Sequence, residues 1–235
     1  MCIFAENFAM ESNSIIILED AVIQHQSEPL LSGVNLEIDK GEFVYLIGKS
    51  GTGKTSLFRT LYADLPLAGG KAVVCGHDIS KIKSSKVPVL RRKLGIVFQN
   101  FRLLTDRDVY SNLYFVLRAI GWKKKREIDD RIIEVLQAVG LADKALVPVY
   151  RLSEGEQQRV GIARAIANNP ELILADEPTG NLDPITSEEI MNLLININKT
   201  MNTTIMISTH DYIMIEKFHS RVLCCENGKL IEPMQ

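Results

Sequence analysis

Gly48-Lys49-Ser50-Gly51-Thr52-Gly53-Lys54-Thr55 has the spacing G-x-x-x-x-G-K-[ST], a pattern suited to holding phosphate. Its glycines let the backbone curl with N–H groups pointing inward, and a helix starting at its end adds a partial positive charge. Lys54 is expected at β- and γ-phosphates and Thr55 at a magnesium ion, which makes MgATP the expected ligand. Farther along, Leu172-Ile173-Leu174-Ala175 runs into Asp176-Glu177. Alone, such a pair is usually a solvated strand end. Beside a phosphate loop, Asp176 can hold Mg²⁺ through water while Glu177 polarises an attacking water as catalytic base.

These residues need elements to position them. Phe43–Ile47 is a short apolar run closed by Gly48, as in a buried parallel strand, and a helix is predicted over Thr55–Asp64. Strands are predicted at Ile15–Glu19 and Val34–Ile38, with turn residues Ser27, Glu28, Pro29, Ser32, Gly33 and Asp39–Gly41 between and after them. From Lys81 to Tyr150 the chain becomes more polar and helix-like. Ile128–Val139 carries helical apolar spacing and ends at Gly140, and an inserted helical subdomain is expected over about 100–165. Strands at Leu172–Ala175, Thr204–Ser208 and Arg221–Cys225 alternate with helices around Glu156–Ala167 and Thr186–Asn198. The alternation predicts a mostly parallel sheet covered on both faces, within a single domain over 15–235 preceded by a leader, 1–14.

The chain has 235 residues, 46% hydrophobic and 24% charged with a net charge of −2, a composition suited to one globular core. Without a basic excess, no nucleic-acid partner is expected. No run approaches the roughly 20 apolar residues that span a bilayer. Met1–Ala9 contains Glu6 and no basic residue, unlike a secretory signal, and Met10 serves equally well as a start. Cys2, Cys75, Cys224 and Cys225 lack metal-ligand spacing and read as small apolar residues in a reducing compartment, so a cytoplasmic location is expected.

Leu152-Ser153-Glu154-Gly155-Glu156-Gln157-Gln158-Arg159, followed by Val160-Gly161-Ile162-Ala163-Arg164-Ala165, closely resembles the signature segment of ABC-transporter ATPases. Gln99 after Val97-Phe98 looks like that family's Q-loop glutamine, Gly180-Asn181-Leu182-Asp183 like its D-loop, and His210 after Ile207-Ser208-Thr209 like its switch histidine. The resemblance runs from about Ile15 to Ile231. It implies an α/β P-loop NTPase of ABC ATPase type: a mostly parallel sheet core, an N-terminal antiparallel β-region and an inserted helical subdomain. It also implies a homodimer in the ATP-bound state. Each ATP would lie between the phosphate loop of one subunit and Ser153, Glu154, Gly155 and Glu156 of the other. The start of a predicted helix at Ser153 and Gly155 suits that role, because a hydroxyl and backbone N–H groups can face a γ-phosphate. By the same resemblance His210 contacts the γ-phosphate and holds base and water, Gln99 joins Thr55 and Asp176 at the metal, and Asp183 organises the opposite subunit.

The family signature commonly reads LSGGQ, and two positions depart from it. Glu156 replaces the glutamine, and Ser153-x-x-Glu156 is also a capping box. Glu154 replaces the first glycine. A carboxylate there repels a γ-phosphate unless it points to solvent, which predicts slow or partner-dependent turnover. Where the family stacks adenine on an aromatic ring, this chain has His25. An imidazole stacks more weakly than tyrosine, and a solvated turn histidine is the competing reading.

Phe98-Gln99-Asn100-Phe101-Arg102-Leu103-Leu104-Thr105-Asp106-Arg107-Asp108-Val109-Tyr110-Ser111-Asn112 is most similar to the FtsE type of cell-division ATPases, with lipoprotein-release and macrolide-export ATPases next. That likeness implies an integral membrane FtsX-like permease as partner, with the ATPase peripheral on the inner face of the membrane. Phe101, Leu103, Leu104, Val109, Tyr110, Leu113, Tyr114 and Phe115 are then either docking surface or ordinary core. The basic clusters Lys81–Lys93 and Lys123–Arg126 read as solvated faces or membrane contacts. The alternatives are an ATPase of a lipoprotein-release or macrolide-export type transporter and an ATP-gated division scaffold with little turnover; Glu154 favours the scaffold, while Glu177 and His210 argue against it.

Overall fold

The computed structural model describes residues 13–233. The expected leader lies outside the described residues up to position 12, as do Cys2 and the alternative start at Met10; Ser14 already opens the first strand. Strands β1 (Ser14–His25) and β2 (Glu28–Asp39) form a long antiparallel hairpin. They join β4 (Gly69–Val74) and β5 (His77–Asp78) in a four-stranded sheet of order β2-β1-β4-β5.

The second sheet has six strands, adding β3 (Phe43–Ile47), β6 (Leu94–Val97), β7 (Leu172–Asp176), β8 (Thr204–Ser208), β9 (Arg221–Glu226) and β10 (Lys229–Ile231). Its order is β10-β9-β3-β8-β7-β6. All neighbours run parallel except the final β9–β10 hairpin.

Alternate residues of the central strands feed two cores. Tyr45, Ile173, Ala175, Ile205 and Ile207 face one cluster, with side chains of α3 (Val109–Ala119), α4 (Lys125–Ala138), α5 (Glu154–Ile166) and α6 (Pro184–Met201). Val44, Leu46, Leu172, Leu174 and Met206 face the other, with the four-stranded sheet, α1 (Lys54–Leu61) and α2 (Val87–Arg91). Burial on both faces is why these strands read as unbroken apolar runs rather than alternating ones. Each fully buried aliphatic side chain contributes about 1.5–3 kcal/mol relative to exposure. The strand ends carrying the polar residues are thus held by strands buried on both faces. Among the described residues no helix is long and apolar enough to cross a membrane.

Several local expectations need correction. Glu28, Pro29, Ser32 and Gly33 lie inside β2 rather than in turns; the actual turn is Gln26–Ser27, both left-handed with φ of 48° and 73°. The register between β1 and β2 shifts at several points, and the φ of 47° at Asp20 and 64° at Gly33 show how the backbone accommodates them. Bulges of this kind admit turn-forming residues without ending the strand. Within the supposedly helix-like 81–150 stretch, Leu94–Val97 is strand β6, recruited by pairing with β7. A four-residue run carries too little periodicity to reveal a strand whose partner lies so far along the chain. The described cysteines are free: Cys75 and Cys225 are buried and Cys224 is half-buried.

Candidate functional site

The phosphate loop leaves the end of β3 and enters α1 at Gly53, whose φ is 102°. The Lys54 ammonium lies inside the curl, only 7% exposed, donating to the carbonyls of Gly48 at 2.7 Å and Lys49 at 3.1 Å. Thr52 closes the same turn by donating to the Lys49 carbonyl at 2.8 Å. Gly48 must be glycine: its φ is 146°, and a Cβ would stand 2.6 Å from the Cys225 carbonyl oxygen on β9 and 2.8 Å from Thr52 Oγ1. The first turn of α1 has no acidic residue and no side-chain cap, so its N–H groups and positive end remain suited to an anion. His25, Ser50, Gly51, Gly53, Lys54, Thr55, Gln99 and Glu177 border one pocket, together with Leu30 and Arg59.

Across this pocket stand the ends of the neighbouring strands. Asp176 is the last residue of β7, in register with Ser208 of β8. Glu177 follows in a left-handed conformation, φ 47°. Its Oε2 is shared between Gln99 Nε2 at 3.2 Å, from the loop after β6, and His210 Nδ1 at 3.3 Å, from the loop after β8. The structure therefore brings Gln99, Glu177 and His210, far apart in sequence, to one carboxylate oxygen. With Gln99 Nε2 donating to Glu177, its amide oxygen is left as an acceptor. That oxygen, the Thr55 hydroxyl and the Asp176 carboxylate are hard oxygen donors of the kind Mg²⁺ takes.

The loop carrying Gln99 is clamped from α5. Arg164 donates to the carbonyl of Phe101 at 2.7 Å and to that of Arg102, both residues being left-handed. The Phe98 ring lies beneath two guanidinium groups, with Arg102 at 4.4 Å and Arg164 at 5.7 Å from its centroid. Burial, and secondarily the nearby Arg102 charge, lower the Arg164 pKa to about 10.

The signature residues do not reach this pocket within one chain. Ser153 caps α5, and the expected capping box is present: the Ser153 hydroxyl accepts from Glu156 N–H at 3.2 Å while the Glu156 carboxylate accepts from Ser153 N–H at 2.9 Å. That second bond, with Lys144 at 3.3 Å, holds Glu156 below the usual carboxylate range. Glu154 is exposed. Gly155 has a reason internal to the chain, since a Cβ there would stand 2.5 Å from Thr186 Cγ2 at the start of α6. Asp183 caps that helix, accepting from the N–H of Ile185 at 3.0 Å and of Thr186 at 3.1 Å. The Thr186 hydroxyl also donates to it and is the main reason its carboxyl stays low.

A family model described as ABC transporter matches residues 31–180, more than half of the chain. The chain belongs to the ABC transporter family. It is an ATPase of the ABC type. The cell division ATP-binding protein FtsE of Streptococcus pneumoniae is 44% identical over 93% of this chain and 94% of its own length. FtsE of Mycobacterium tuberculosis is 45% identical over 94% and 96%. The methionine import ATP-binding protein MetN of Carboxydothermus hydrogenoformans is 44% identical over 86% of the chain, but only 60% of that relative is matched. Among solved structures, cbiO1 of Clostridium perfringens, part of the ABC transporter complex cbiONQ, superposes with a TM-score of 0.85 at 30% identity, covering 94% of this chain and 88% of that one. The dimeric ATP-binding cassette MJ0796 bound to ADP and Pi gives 0.81 at 31%, covering 94% and 99%.

In this cassette His25 ends β1 opposite Glu28, exposed at the pocket mouth. Replacing imidazole by a larger aromatic face is expected to strengthen stacking on the base. His25→Tyr should tighten ATP binding about three- to tenfold in a titration with a fluorescent ATP analogue. Unchanged affinity would leave His25 a solvated residue at the end of β1. Sequence reading missed Ser208, which touches both Asp176 and Glu177. The available signal was a hydroxyl residue ending an apolar strand just before His210.

Proposed function

We propose that this cassette binds MgATP through Gly48–Thr55, hydrolyses it as a homodimer, and drives an integral membrane FtsX-like permease in bacterial cell division. The functional unit proposed is one ATP-binding domain over 15–235, with a helical subdomain at about 100–165. The observation carrying the hydrolytic reading is the gathering of Gln99 and His210 on Glu177 Oε2 at 3.2 and 3.3 Å, across the pocket from Lys54. Glu177 accepts a proton from the attacking water as the water oxygen bonds to the γ-phosphorus, and the bond from phosphorus to the ADP oxygen breaks. Gln99 and His210 hold that carboxylate in place. Thr55, Asp176 and Gln99 would hold magnesium, which when bound neutralises charge on the β- and γ-oxygens.

Two features support the dimer. Ser153 and Gly155 stand outside the pocket of their own chain, so a second copy is needed to present them to ATP. Beside Glu177 and His210, Tyr212 and Ile213 are 60% and 72% exposed, and Ile185, next to the bordering Pro184, is 73% exposed, more apolar surface than a catalytic rim needs by itself.

For the membrane partner, the helical region offers Leu104, Phe115, Leu146 and Tyr150, all exposed. They lie on segments bridged at Asp108–Pro148, with Val109 N–H donating to the Val147 carbonyl at 3.2 Å. Val109 and Leu113 belong to the core, whereas Leu103, Tyr110 and Tyr114 pack partly against it. The likeness to FtsE supports the cell-division role and, with it, a cytoplasmic position on the inner face of the membrane.

The test is ATP hydrolysis by the purified protein, alone and with membranes carrying an FtsX-like permease. Activity should rise several-fold with those membranes and not with membranes lacking the permease. Equal rates in both would remove the coupling proposal. ATP-dependent dimerisation without turnover in either would favour the scaffold.

A further inference from the structure

Ser208 ends β8, is 0% exposed, and lies beside Asp176 in the parallel register. Its hydroxyl proton is donated to Asp176 Oδ1. Ser208 Oγ itself accepts the backbone N–H of Glu177 at 3.2 Å, and the Ser208 carbonyl accepts that N–H at 3.0 Å. One buried residue therefore holds the side chain of the expected metal-site carboxylate and the backbone of the expected base.

The chemistry of a hydroxyl makes this double grip possible, since it supplies one proton and two lone pairs. Giving the proton to Asp176 fixes which carboxylate oxygen is occupied. Accepting from Glu177 N–H anchors a left-handed backbone, φ 47°, that a side chain such as glutamate seldom adopts. That bend turns Glu177 out of the strand direction, where Gln99 and His210 meet its Oε2. An alanine at 208 would keep the carbonyl contact but lose both hydroxyl contacts. A threonine would retain the hydroxyl.

We propose that Ser208 is a positioning residue for hydrolysis, orienting Asp176 toward the magnesium of MgATP and fixing the backbone bend that presents Glu177. This rests on the hydrolytic reading of the site given above. It assigns Ser208 no contact with nucleotide and no proton transfer of its own.

The experiment compares wild type, Ser208→Ala and Ser208→Thr, with Glu177→Gln as a control for the site itself. Residues holding metal ligands from behind commonly change metal affinity or activity by 10- to 100-fold when removed. Ser208→Ala is accordingly expected to lower kcat by about 10- to 100-fold with KM for ATP within about threefold, and Ser208→Thr to recover most of it. A second readout does not depend on turnover: binding of a fluorescent ATP analogue titrated with Mg²⁺. Ser208→Ala should need about tenfold more Mg²⁺ for half-maximal enhancement, with binding in EDTA unchanged. Thermal melting reports whether each variant is folded. A folded Ser208→Ala with wild-type kcat and an unchanged Mg²⁺ titration overturns the proposal. So does a Ser208→Ala that loses activity while Mg²⁺-independent nucleotide binding falls equally. If Glu177→Gln itself keeps full activity, the underlying site reading fails instead.

Discussion

Glu177→Gln is expected to bind MgATP with near wild-type affinity and to hydrolyse it about 10²- to 10⁴-fold more slowly, the range for loss of a positioned general base. The amide is nearly isosteric and retains an oxygen able to accept from Gln99 Nε2, now 3.2 Å from the carboxylate, so the pocket should persist. It cannot take a proton from water. The groups that should bind phosphate, Lys54 and the N–H groups of the loop, belong to β3–α1 and are untouched. ATP held without turnover should keep two copies together, so the variant is also expected to elute as an ATP-dependent dimer. The decisive measurements are a single-turnover rate and size exclusion with MgATP. Wild-type turnover in this variant would remove Glu177 as the base.

Lys54→Ala is expected to fail one step earlier. The wild-type ammonium is buried and held by the carbonyls of Gly48 and Lys49 at 2.7 and 3.1 Å. Truncation removes the compact positive charge of the loop and the donor to the Gly48 carbonyl, while the Lys49 carbonyl keeps Thr52. Hydrogen bonds to charged groups contribute about 1.5–3 kcal/mol each, so losing those to the β- and γ-phosphates should weaken ATP by about 10²-fold or more. ADP, which lacks the γ-phosphate, should lose less. Titration with both nucleotides separates this outcome from general damage to the loop. Equal ATP binding by the variant and wild type would sink the site assignment.

The site was unevenly legible in the sequence. Gly48–Thr55 could be read because it is contiguous: strand end, curl and helix start belong to one segment, and its glycines serve that segment's own backbone. The capping box at Ser153 and Glu156 was readable for the same reason, and both of its hydrogen bonds are present. His210 and Gln99 are single residues after strands, distinguished only by the order of neighbouring motifs. Nothing local says that they converge on Glu177. Asp183 shows another limit, because the resemblance suggested a role toward a second subunit while its carboxylate is engaged in capping α6 of its own chain.

By itself the sequence determined the glycine-rich loop between a strand and a helix, the carboxylate pair at a strand end, the alternating α/β architecture and the family. Each rests on contiguous residues or on ordered motifs along the chain. Tertiary structure decided which strand ends lie side by side. The sheet order β3-β8-β7-β6 puts residues near 48, 208, 176 and 99 at neighbouring strand ends. That adjacency gives Glu177 its two side-chain partners, recruits Leu94–Val97 as a strand, and sets Ser208 against Asp176. It also keeps the signature residues away from the phosphate loop of the same chain. The physical reason is that turn chemistry and helix capping are satisfied within a few residues, whereas parallel pairing joins segments separated by long crossovers. Their order follows from how the whole apolar surface is buried, which no single segment records.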